Sequence, residues 1–196
     1  MSKPQTRKAN RLKCYDYSQN GAYFVTICAK SAKEIFSKIV PGVGNDVHIA
    51  PKLSQIGEVI DSIIRELPKH RSDIIIDEYV IMPNHLHIIV CIQRSVGGDV
   101  HIAPKTPRKK DDVDIVPYGV SDFVRTLKIT TTKRIGFSPW QRSFHDRIIR
   151  DQNEYYRISE YIQNNPMRWE EDCYYGGDVH DTSVGGDVHI APNSST

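Results

Sequence analysis

Cysteine is sparse in this chain. Its four, Cys14, Cys28, Cys91 and Cys173, lie far apart with no Cys-x-x-Cys spacing, which argues against both a zinc module and a disulfide scaffold. A reducing cytoplasm is the simplest compartment for such a chain. No apolar run is long enough to span a bilayer, and no apolar stretch backs the start Met1-Ser2-Lys3-Pro4, so the expectation is a soluble, unexported protein with no membrane partner. Neither sign of charge is in excess: 26 Lys and Arg against 24 Asp and Glu leave a net charge of +2, so any polyanion has to be held by local patches. What is there is 196 residues, enough to bury a core in one domain with decorations.

The decorations show as repeats. Gly-Gly-Asp-Val-His-Ile-Ala-Pro stands at Gly97 to Pro104 and again at Gly185 to Pro192, with a variant at Asn45 to Pro51 and a truncated copy at Gly176 to His180. The copies are too short and too irregularly spaced to stack as a solenoid, and they fall among Gly, Pro, Asp and Lys, where loops are expected. They read as passive inserts, because the Asp-x-His within each lacks a third ligand and supporting groups for a metal. At the nucleotide level the octapeptide can be written GGG GGC GAT GTG CAC ATC GCC CCC, which equals its own reverse complement. The hypothesis that each copy encodes a hairpin fails if the gene uses unrelated synonymous codons in the copies. The expected organisation is one domain over 1–175 with loop inserts at 41–52 and 96–116, then a repeat-containing, flexible tail over 176–196.

Without the inserts, a compact series of elements remains. Ala22 to Ala29 reads as a strand after the Asn20-Gly21 turn signal. Leu53 to Leu67 carries apolar residues at Ile56, Val59, Ile60, Ile63, Ile64 and Leu67, the pattern of a helix with one buried face, with Pro68 as its stop. Asp73 to Met82 and His85 to Gln93 are two more strands, joined at Pro83-Asn84. A second helix runs from Ser121, read as its N-cap, through Phe123, Val124, Leu127 and Ile135. A short strand spans about Ser143 to Arg150, and the last helix opens on Asp151-Gln152-Asn153-Glu154 and ends before Pro166. This order predicts an α+β fold with a ferredoxin-like or RRM-like antiparallel sheet, one face of it open for ligand.

His85 and His87 are the residues that point to chemistry. Side chains two apart on a strand share a face, so the two imidazoles can converge on one ion while Leu86 turns to the core. The alternative is a strand edge on which two histidines merely fall. On the last helix Tyr155, Ile158 and Ile162 form an apolar stripe, Tyr161 lies at its edge, Asn165 falls about one turn beyond Tyr161, and Tyr156 points away. Taken alone, a tyrosine at such an edge reads as an amphipathic packing residue whose hydroxyl reaches water, and only beside a metal site does it read as a nucleophile. A phenol ionises near pH 10, so a tyrosine nucleophile needs a cation to polarise its target. His85, His87 and the amide oxygen of Asn165 would make a three-ligand site with open positions, suited to Mg²⁺ or Mn²⁺.

These residues carry a resemblance. Arg11-Leu12-Lys13 with Tyr15-Asp16-Tyr17-Ser18, Gly21 to Cys28, Tyr79 to His87, Trp140 to Phe144 and Tyr161-Ile162-Gln163-Asn164-Asn165-Pro166 resemble a REP-associated tyrosine transposase. That family is a branch of the single-tyrosine HUH transposases, in which H is histidine and U a bulky hydrophobe. The resemblance covers nearly all the chain outside the inserts. It implies an endonuclease and strand transferase with Tyr161 as nucleophile, His85, His87 and Asn165 as metal ligands, and no organic cofactor. Its substrate would be single-stranded DNA from hairpin-forming palindromic repeats preceded by a tetranucleotide such as GTAG, and its product a 5′-phosphotyrosyl link and a free 3′-hydroxyl. A nucleoid-associated, prokaryotic-type protein acting as monomer or homodimer is expected.

Two other classes stay open: a hairpin-binding regulator without cleavage, and a rolling-circle replication initiator in which a second tyrosine assists, as adjacent Tyr155 and Tyr156 allow. DNA contacts are expected from a basic arm, Arg7, Lys8, Arg11 and Lys13, and from Arg125, Lys128, Lys133 and Arg134 on the second helix, where a solvated face is the alternative. Trp140 is either a base-stacking platform or a packing residue.

Overall fold

Residues of alternating face make the first strand, β1 (Gly21–Cys28), in the structure, a computed structural model that describes residues 19–40, 51–93 and 119–176. Tyr23, Val25 and Ile27 point to one side of β1 and Phe24 and Thr26 to the other. A short antiparallel pair, β2 (Ser37–Lys38) and β3 (Lys52–Leu53), leads into α1 (Gln55–His70). Ser54 caps that helix, its hydroxyl accepting from the N–H of Gly57 at 3.1 Å. The helix runs past Pro68, the expected stop. Proline removes one helical N–H and crowds the carbonyl one turn earlier, but only two residues of helix follow it, and the Pro68 carbonyl still accepts from Arg71 N–H at 3.3 Å.

The hairpin that carries the histidines follows, β4 (Ile74–Ile81) and β5 (His85–Ile92), with Ile81 opposite Leu86 and Pro83-Asn84 as a two-residue loop. A bulge between Ile76 and Tyr79 resets the alternation, so that Ile74, Ile76, Tyr79 and Ile81 all pack into the same core. Next come α2 (Val120–Ile135), β6 (His145–Ile149) and α3 (Gln152–Asn164), which runs into a 3-10 turn, Asn165–Glu171. Ser121 is not the cap of α2. Gly119 holds that position, because burial of Val120 with Phe123 and Val124 draws the helix start one residue earlier. Asp151 does cap α3, accepting from Glu154 N–H at 2.8 Å, and the Glu154 carboxylate in turn accepts from Arg150 N–H at 2.8 Å.

The main sheet has the order β4-β5-β1-β6 with every neighbouring pair antiparallel, the α+β, ferredoxin-like order expected. Helices α1 and α2 cover one face through Ile60, Ile63, Ile64, Phe123, Val124 and Leu127. The other face, expected to stand open, is instead roofed by α3 and the 3-10 turn. Ile158, Ile162 and Trp169 close over Phe24, Val80, Met82 and Ile89 in a second, smaller core, so the stripe on α3 is spent on the sheet itself. The bulge helps to seat α3, since Asp77 accepts from the Tyr155 hydroxyl and Glu78 from Gln163 Nε2. The inserts expected at 41–52 and 96–116 and the tail at 176–196 lie outside the described residues, apart from Pro51, Lys52 and Gly176 at their edges.

Candidate functional site

The alternation of β5 sends Leu86 and Ile88 into the α1/α2 core and turns His85 and His87 toward α3. Both imidazoles are fully buried, at 0 % exposure, with ring centroids 4.4 Å apart. Their partners across the ladder are Cys28 and Thr26 of β1. His85 Nδ1 lies 2.9 Å from Asn84 Oδ1, and His87 Nδ1 lies 2.8 Å from Thr26 Oγ1. The Tyr161 hydroxyl reaches His87 Nε2 at 3.2 Å, which brings the expected nucleophile onto the histidine pair. The ring of Tyr174 packs over His85 at 4.5 Å between centroids and walls the site on the side of the chain's last described residues.

Asp172 is the group that the sequence did not reveal. Its side chain is 1 % exposed, and Oδ2 stands 3.9 Å from His85 Nε2. Burial, then the neighbouring His87, holds His85 well below the ordinary histidine range, so this contact joins a carboxylate to a neutral ring and is not an ion pair. Among the described residues no lysine or arginine pairs with Asp172, whose oxygens accept from Asn165 Nδ2 and from Tyr174 N–H at 2.8 Å each. One ligand atom from each of His85, His87 and Asp172 lies within 4.8 Å of the others. Asn165, the expected third ligand, donates through Nδ2 to Asp172 Oδ2, the oxygen that faces His85, and its Oδ1 is buried with no partner among the described residues.

Two buried polar atoms of this cluster, His85 Nε2 and Asn165 Oδ1, have no hydrogen-bond partner among the described residues, and each such atom costs roughly 1–3 kcal/mol. A divalent cation would meet these atoms and the Asp172 charge together, and two imidazole nitrogens with a carboxylate oxygen fit such an ion. Cys28 lies opposite His85, but burial pushes its thiol up to about 12, so it brings no thiolate.

Burial also draws His87 down to about 3, while burial and then Asp172 raise the Tyr161 phenol above its ordinary value. Both shifts oppose transfer of the phenol's proton to His87.

The cations expected to hold DNA are distributed differently. Arg7, Lys8, Arg11 and Lys13 lie outside the described residues. Arg125, Lys128, Lys133 and Arg134 lie on α2, across the sheet from the histidines. Arg125 and Lys133 are exposed, whereas Arg134 pairs with Glu66 of α1. Lys128 donates to the carbonyls of Gln141 at 2.8 Å and Ser143 at 2.9 Å, and burial draws its ammonium down to about 8. Trp140 packs on Phe36 and is 4 % exposed, a core residue and not a stacking platform.

No family model matches the sequence. An uncharacterized protein of Haemophilus influenzae is 35% identical over 179 residues, which span 86% of this chain and 93% of that protein. The two chains belong to one family. Among solved structures, a REP-associated tyrosine transposase bound to a REP hairpin aligns with this family member at 19% identity, over 86% of this chain and 74% of that one, with a TM-score of 0.47. A candidate transposase from Deinococcus radiodurans aligns at 14% identity, over 79% of this chain and 97% of that one, with a TM-score of 0.41. No helix among the described residues is long and apolar enough to cross a membrane.

Proposed function

We propose that this protein is a metal-dependent, single-strand DNA endonuclease and strand transferase in which Tyr161 attacks a phosphate. The observation that carries the reading is the placement of the Tyr161 hydroxyl 3.2 Å from His87 Nε2, at the edge of a buried His-His-Asp group. His85, His87 and Asp172 would hold the cation, with Asn165 orienting the Asp172 carboxylate or contributing its own free Oδ1. A bound Mg²⁺ or Mn²⁺ supplies the positive charge that polarises the phosphate and stabilises the charge developing on it. Tyr161 Oη forms a bond to phosphorus as the bond from phosphorus to the 3′-oxygen breaks, giving a 5′-phosphotyrosyl link. The phenol's proton ends on the released 3′-hydroxyl. Because the bond energy is kept in that ester, attack by a 3′-hydroxyl restores a phosphodiester and completes strand transfer.

Tyr155 and Tyr156 do not share this geometry. The hydroxyl of Tyr155 donates to Asp77 on the bulge and Tyr156 is 62% exposed, which favours a one-tyrosine reaction over the two-tyrosine chemistry of a replication initiator. The depth of the histidine pair under Tyr174 favours one other reading, a hairpin binder whose site stays shut.

Labelled single-stranded hairpin DNA of the REP type with Mn²⁺ separates the two. The expected outcome is cleavage that is lost in His87→Ala and in Tyr161→Phe, with hairpin binding retained in both. Binding without cleavage by the unaltered protein would favour the binder, and full cleavage by His87→Ala would overturn the metal-site reading.

A further inference from the structure

A histidine binds a cation only through a nitrogen that carries no proton, so the tautomer of each ring decides whether the group is ready for metal. For His85 the surroundings settle it. Asn84, in the hairpin loop, is 1% exposed, and its Nδ2 donates to two carbonyl oxygens, Tyr174 O at 2.7 Å and Ala32 O at 3.3 Å. Reversing that amide would set its oxygen against both carbonyls, so Oδ1 must face His85 Nδ1, 2.9 Å away. An amide oxygen only accepts. The proton of the neutral ring therefore sits on Nδ1, and the bare nitrogen is Nε2, the buried atom that lacks a partner and lies 3.9 Å from Asp172 Oδ2.

We propose that Asn84 is a positioning residue that locks His85 into the tautomer presenting the Nε2 lone pair to a divalent cation. This rests on the reading of His85 as a metal ligand. The lock is made before any cation arrives, because the amide is itself pinned by backbone carbonyls from two other parts of the chain. His87 is held differently. Thr26 Oγ1, 2.8 Å from Nδ1, can donate or accept and so tolerates either tautomer. Asn84 thus gives one rigid ligand, and Thr26 leaves the other ring able to keep its contact with Tyr161 until a cation takes Nε2.

Nitrogen-15 spectra of the histidine rings in the metal-free protein read the tautomer directly, and titration with Mn²⁺ reads its consequence. The unaltered protein is expected to show His85 protonated at Nδ1 alone. Asn84→Ala is expected to mix the tautomers and to weaken Mn²⁺ binding about ten- to a hundredfold. A proton on Nε2 of His85 in the unaltered protein, or unchanged Mn²⁺ affinity in a folded Asn84→Ala, would overturn the proposal. Both measurements stand apart from DNA chemistry. A protein that holds the tautomer and binds Mn²⁺ through it, yet forms no DNA adduct, would refute the proposed reaction and leave this inference intact.

Discussion

His85 and His87 are neutral rings in a place where charge is costly, and this couples the stability of the metal-free fold to pH. Their folded values lie below the unfolded value of 6.5, His87 at about 3. The unfolded chain therefore binds protons first as pH falls, and the stability present above 6.5 is lost progressively below it. Two such rings cost together up to roughly 3 kcal/mol per pH unit. We expect the urea midpoint in the presence of a chelator to fall steeply between about pH 6 and about pH 4, and a doubly substituted His85→Gln, His87→Gln protein to lose much of that slope. A flat profile over that range in the unaltered protein would contradict the burial described. The histidine pair was legible because a period of two is all that joins its members, whereas the stripe edge alone left Tyr161 a packing residue and only the family resemblance singled it out. Asp172 was not legible. It reaches the site only because Asn165–Glu171 tightens into a 3-10 turn, and no spacing rule connects it to the distant strand β5. Thr26 becomes a neighbour of His87 only once the β1/β5 register is known.

Among the elements, α1 offers a test of how the helix layer is seated. A Cβ at Gly57 would fall 2.1 Å from the Phe36 carbonyl oxygen, which also accepts from Ser54 N–H at 2.9 Å. Helix propensity alone would make Gly57→Ala stabilising by up to about 1 kcal/mol. The close approach of backbone predicts the reverse, a loss of about 1–3 kcal/mol in urea denaturation, because the helix start must move away from Phe36. The strands and helices of the core were legible from periodicity, and the ferredoxin-like order from their sequence. The roofing of the second face was less so. An apolar stripe of Tyr155, Ile158 and Ile162 shows that α3 packs on something, but its seat on Phe24 and Ile89 depends on the sheet order and on the bulge at Asp77 and Glu78.

For the whole molecule, the sheet separates two surfaces. The histidines and Tyr161 lie on the side of α3, and the exposed cations Arg125 and Lys133 on the side of α2. A hairpin that uses both must reach around the sheet. We expect the double substitution Arg125→Ala, Lys133→Ala to weaken hairpin binding alike for all sequences and to lower the salt dependence by about one ion for each charge removed. An unchanged salt slope would confine the DNA to the face of α3. Mapping the point of attachment shows whether Tyr161 forms a covalent bond to DNA. The protein is incubated with Mn²⁺ and a labelled hairpin oligonucleotide, digested with a protease, and the modified peptide sequenced by mass spectrometry. The expected product is a nucleotide joined through its 5′-phosphate to Tyr161. Attachment at Tyr155 or Tyr156, or no adduct in a protein that binds both Mn²⁺ and the hairpin, would contradict it.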